Sequence, residues 1–128
     1  MNVHILEMPL DFGASRHGSD MGPSAIRLAG IKEKLESIGH KTYVHTDIFK
    51  ATAQEYEKPG NPKAKYLKPI VKACNKLASE VEQISSDGDF PLVLGGDHSI
   101  VLGSLAGLAA TAKKQNQKIG RASCRERV

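Results

Sequence analysis

The spacing of apolar and polar positions switches between two periods along the chain, and the switches mark its elements. Residues 3–8, VHILEM, form a short apolar run rich in β-formers and closed by Pro9, which predicts a buried strand. A glycine-rich loop follows to residue 22. Then GPSAIRLAGIKEKLESIG sets Ile26, Leu28, Ile31, Leu35 and Ile38 on one broad face. With Pro23 near its start and Gly39 where a helix commonly ends, this segment predicts a single helix. KTYVHTDIF, residues 41–49, reads as a second strand. Residues 50–66 hold Pro59, Gly60 and Pro62 among polar residues and predict a loop. Leu67, Ile70, Val71, Cys74, Leu77, Ala78, Val81 and Ile84 follow at the spacing of an amphipathic helix, with Pro69 tolerated in its first turn. DGD at 87–89 turns the chain, FPLVL predicts a third strand, and a third helix rich in small residues runs from Ser99 to about Gln115.

Strands alternating with helices predict an α/β fold: a three-layer arrangement in which a parallel sheet carries helices on both faces. A length of 128 residues suits one domain, and no internal repeat or linker interrupts it. Composition changes this picture little. The apolar fraction of 40% and charged fraction of 25% are those of an ordinary globular chain. No run approaches the roughly 18 apolar residues that span a bilayer, and MNVHILEMPL lacks the features of a secretory leader. The expectation is a cytoplasmic protein without a membrane partner. The net charge of +4 comes from scattered lysines rather than a basic stripe interleaved with aromatics, so nucleic acid is not an expected partner. Cys74 and Cys124 fit neither a disulfide framework nor a zinc pair.

The last ten residues, IGRASCRERV, have no apolar period and carry three arginines. The string resembles the translation of a common sequencing adapter. The expected division is therefore residues 1–118 as native protein and residues 119–128 as a non-native tail. Without that tail three arginines, one glutamate and Cys124 disappear, and the net charge falls from +4 to +2.

Two glycine loops are expected at the carboxyl edge of the sheet, where open α/β folds bind ligands. The first, GASRHGSD, spaces Gly13 and Gly18 as a phosphate-binding P-loop would. It then places Ser19 and Asp20 where lysine and a hydroxyl residue belong, which argues against nucleotide binding. In the second, LGGDHS, Gly95 and Gly96 let the backbone turn sharply, so that Asp97 and His98 would project into the crevice. An imidazole beside a carboxylate suits manganese, iron or zinc better than calcium. Equally, Asp97 could cap the following helix while His98 stands exposed. His4, His17, His40 and His45 have no partner at ligand spacing and read as structural or surface residues.

LGGDHSI closely resembles the first metal-binding signature of the arginases, within the ureohydrolase family that includes agmatinase. GASRHGSDMGPSAIRLAGI is similar to the arginase N-terminal loop and helix, and FPLVLGGDHSIVLGSLAG continues the likeness, which extends over nearly all of residues 3–118. Ser19 departs from it, standing where arginases more often carry an apolar residue. RHGSDMGPSAIR favours arginase over agmatinase. The resemblance implies a pair of manganese ions (Mn2+) at the strand ends, bridged by a hydroxide that attacks the guanidinium carbon of L-arginine to give urea and L-ornithine. It implies His98 as a ligand of one ion, leaves Asp97 outside the ligand set, and implies a homo-oligomer when full length.

The later aspartate- and histidine-bearing motifs of the family are not found in this sequence. The expectation is thus a truncated arginase-like domain, inactive by itself, from an arginase parent. The alternatives are an agmatinase-type ureohydrolase and a non-catalytic α/β module that binds a small ligand in its glycine loops.

Overall fold

The computed structural model describes residues 1–46 and 48–119. Strands β1 (Asn2–Met8), β2 (Lys41–His45) and β3 (Phe90–Gly95) form one parallel sheet in the order β2-β1-β3. Helices α1 (Gly22–Leu28) and α2 (Ile31–Ser37) join β1 to β2. A short α3 (Ala53–Glu57) and a long α4 (Leu67–Ser86) join β2 to β3, and α5 (Ile100–Lys114) follows. The chain thus winds outward from β1 to β2, then crosses back over β1 to β3. Right-handed crossovers in opposite directions put their helices on opposite faces, which produces the expected three layers.

Side-chain alternation along β1 serves both faces. Leu6 and Met8 pack with Ala73, Leu77, Val81 and Ile84 of α4, and Val93 beside Leu6 joins them. Val3, Ile5 and Glu7 point the other way, toward α1 and α2. There the Glu7 carboxylate, only 4% exposed, accepts two hydrogen bonds from Arg27 Nη1 at 2.9 and 2.6 Å. A buried carboxylate is tolerable only with such a partner, so this pair fixes α1 on the sheet. On the opposite face α5 lies against α4. Gly103 and Gly107 make that contact close: a Cβ on Gly103 would sit 2.6 Å from the Cys74 carbonyl oxygen, and one on Gly107 2.5 Å from that of Ala78.

The structure departs from the sequence-based expectations in three places. The single helix predicted over 22–39 is two helices, because Gly30 turns the backbone left-handed at φ 85°. That turn breaks the helical register, so the expected apolar face is not continuous, and Leu28 is 85% and Ile38 69% exposed. Gly39 does end the second helix at positive φ. The second strand stops at His45, and Ile48 and Phe49 enter the core from a loop instead. Within the predicted loop 50–66, Thr52 and Glu55 form a capping box that nucleates α3. The tail predicted as non-native, apart from Ile119, lies outside the described residues, as does Cys124. Among the described residues no helix is long and apolar enough to cross a membrane.

Candidate functional site

A sheet wound in the order β2-β1-β3 reverses direction between β1 and β3. The connections leaving these neighbouring strands diverge to opposite faces and open a crevice at their carboxyl ends. Both glycine loops meet there. Beyond the last strand pair, Gly96 N–H donates to Met8 O at 3.2 Å and Asp97 N–H to Leu10 O at 2.7 Å. The backbones approach so closely that a Cβ on Gly96 would lie 2.1 Å from the Leu10 carbonyl oxygen. Only glycine fits.

Asp97 and His98 then separate in role. The Asp97 carboxylate turns inward and accepts from Gly13 N–H at 2.7 Å, from Ser99 N–H at 2.7 Å and from the Ser99 hydroxyl. It therefore clamps the first loop to the second and closes a turn into α5, whose N-cap is Ser99. Of the two readings that the sequence leaves open for Asp97, the structure has the cap at the start of α5: its oxygens are committed to these donors. His98 is exposed, and its ring has no hydrogen bond or ion pair among the described residues. An imidazole held at the carboxyl edge by a rigid turn, with both nitrogens available, fits a single ligand position on a first-row metal. Among the described residues no group of three or more His, Cys, Asp or Glu could hold an ion. The described residues fit one ligand of a metal centre, not a whole one.

A second network, which the sequence analysis did not single out, lies beside this clamp. Asp11, 2% exposed between Leu10 and Phe12, accepts from the Tyr56 hydroxyl at 2.7 Å, from His17 Nδ1 at 3.0 Å and from Gly18 N–H at 3.2 Å. Burial pushes its carboxyl pKa up, but the Tyr56, Gly18 and His17 hydrogen bonds outweigh burial and hold it below the ordinary 3.8. Burial, and then the bond to Asp11, push the Tyr56 phenol well above its usual 10.0. The network ties the first loop to α3. A cavity of about 540 Å³ opens beside it, lined by Phe12, Gly13, Ser15, His17, Lys65 and Tyr66. A buried aspartate between two apolar residues was the one available signal, but its partners come from 45 residues away in the case of Tyr56.

His4 and His45 also find partners that spacing could not disclose, whereas His40 Nδ1 is buried with no hydrogen-bond partner among the described residues. Across the β1–β2 pair His4 Nδ1 lies 2.9 Å from His45 Nε2, and His4 Nε2 lies 3.0 Å from Asp89, which precedes β3. Cys74 is buried, which pushes its thiol pKa up, and its Sγ donates to Ser99 O at 3.4 Å. It is a packing residue under the second loop.

A three-layer α/β protein with its ligand crevice at the topological switch point is the class that this fold and site define. The chain belongs to the arginase family: the model described as "Arginase family" matches residues 1–120. An arginase of Brevibacillus brevis is 47% identical over 112 residues, covering 88% of this chain and 37% of that protein. An arginase of Bacillus caldovelox is 44% identical over 107 residues, covering 84% and 36%. The solved native structure of the Bacillus caldovelox arginase superposes with a TM-score of 0.77 at 43% identity, over 85% of this chain and 36% of that one. The chain spans a little over a third of the length of the curated relatives it matches.

Proposed function

We propose that the parent of this chain is a manganese-dependent arginase, hydrolysing L-arginine to L-ornithine and urea, and that residues 1–118 are its N-terminal part. The single observation carrying this reading is the LGGDHS turn at the switch point, where His98 is exposed and unpartnered among the described residues while Asp97 is consumed in the clamp. The similarity to proteins named arginase supports this substrate over agmatine. When bound, a manganese pair lowers the pKa of water and supplies a nucleophile at neutral pH. This chain's own residues do the positioning. His98 contributes one imidazole, the Asp97 clamp sets the direction from which it does so, and Gly96 allows the two loops to touch. The other donors come from the parent sequence beyond residue 118, and residues 119–128 are not native. The parent is a cytoplasmic homo-oligomer. The 128-residue chain has no turnover alone, because one imidazole cannot compete with water for two ions.

The test uses both proteins. In the parent, His98→Ala is expected to lower manganese content per subunit and cut urea production at least about a hundredfold, as loss of a metal ligand disturbs the nucleophile itself. Unchanged metal content and unchanged turnover would return His98 to a surface role. Urea released by the 128-residue chain with added manganese and arginine, above a no-enzyme control, would overturn the proposal that its donor set is incomplete.

A further inference from the structure

A second concavity, of about 460 Å³, lies between α3 and the first turns of α4 and is lined by Thr52, Gln54, Glu55, Lys58, Lys68 and Lys72. It shares no lining residue with the cavity beside Gly13. Its walls are fixed. The Tyr56 hydroxyl anchors α3 to Asp11, the Tyr66 hydroxyl donates to Tyr56 O at 3.2 Å, and the Thr52–Glu55 capping box closes the first turn of α3. The only carboxylate in the lining is already engaged: Glu55 accepts from Thr52 N–H at 2.8 Å and from the Thr52 hydroxyl at 3.2 Å, and the first of these bonds holds its pKa down. Lys72 pairs with Glu55 at 3.5 Å and its ammonium lies over the Phe49 ring, 5.8 Å from the centroid. Lys58 and Lys68 have no hydrogen bond or ion pair among the described residues. Around the hollow, Lys58 and Lys68 therefore add two positive charges with no partner among the described residues to the Glu55–Lys72 pair, a local excess of positive charge.

We propose that this cavity binds a compact polyanion, a phosphate or polycarboxylate carrying two or more negative charges. The ligand supplies the counter-charge that Lys58 and Lys68 lack: these two meet it as point charges, Lys72 adds its ammonium beside them while paired with Glu55, and the Gln54 amide offers a neutral donor. The site is independent of His98 and of the metal, so its test does not depend on arginase activity.

Equilibrium dialysis of the whole 128-residue chain against radiolabelled inorganic phosphate, at ionic strength held constant with sodium chloride, reads stoichiometry per chain whatever its association state. One phosphate per chain is expected. Lys58→Gln with Lys68→Gln should weaken binding about tenfold or more, since each removed charge at close range is a large share of a surface ionic contact. Lys58→Arg with Lys68→Arg should retain binding, and Lys34→Gln on α2 should leave it unchanged. Circular dichroism confirms that each variant is folded. Repeating the titration with citrate distinguishes the sources: tighter binding assigns a polycarboxylate, weaker binding a phosphate. No retention of either anion above the chloride background, or equal retention by the Gln double variant, overturns the proposal.

Discussion

Asp97 shows how one carboxylate can define a site without being the reactive group. Its bonds to Gly13 N–H and to Ser99 are charge-assisted and link two loops that the sequence separates by 84 positions. Asp97→Asn keeps the size but presents an amide to backbone donors, at a cost of about 1–3 kcal/mol. Amide exchange at Gly13 and Ser99 is expected to accelerate while β1 stays protected; unaltered exchange at Gly13 would mean the clamp does not hold the loop. Asp11 gives a pH signature at the same scale. Its folded pKa lies below the ordinary 3.8, so the folded state binds this proton less readily than the unfolded chain. Its stabilisation is complete above 3.8 and is lost as pH falls through the lower folded value. In urea titrations across that acid range Asp11→Asn should lose less stability on acidification than the unaltered chain. Parallel curves for the two proteins would rule out this contribution.

At the scale of elements, stability rests on how closely α5 approaches α4. Gly107 faces Ala78 and Val81, whose Cβ would be 2.8 Å from an added methyl. Gly107→Ala raises helix propensity by about 1 kcal/mol, yet overpacking costs about 1–3 kcal/mol and here must move helix backbone. The packing term is expected to win. Thermal unfolding should show a lowered Tm, and a raised Tm would indicate that the two helices can separate without loss. The Glu7–Arg27 pair acts on the other face in the same spirit, since it attaches a short helix whose apolar residues are largely exposed.

The whole molecule is a sheet with two open sides. Among the described residues neither the outer edge of β2 nor that of β3 has a partner strand. Tyr43, Val44 and Phe90 are exposed along these edges, and Leu28, Ile38 and Leu102 on the helices. Unpaired edges beside apolar surface template association with other chains. Sedimentation of the 128-residue chain should therefore show concentration-dependent self-association, with fast hydrogen exchange in β2 and β3. A monomer with slow exchange in both would describe a self-sufficient domain and favour a small-ligand-binding module over a part of an enzyme.

Local chemistry determined much of this protein. The apolar runs of β1 and β3, the spacing along α4, Pro23 and Gly39 at helix ends, and the LGGDHS turn are legible because strands, amphipathic helices and tight turns are written in short-range periodicity and in glycine and proline. Their alternation was enough to specify a parallel sheet covered on both faces. Tertiary structure alone decided the rest. It separated Asp97 from His98, making one a clamp and leaving the other exposed, because the donors that claim Asp97 lie on Gly13 and Ser99. It brought Asp11 to Tyr56 and His4 to His45, pairings set by strand register and loop packing rather than by any local period. It also broke the helix predicted over 22–39 at Gly30, where the left-handed backbone interrupts the helical register and leaves Leu28 and Ile38 exposed.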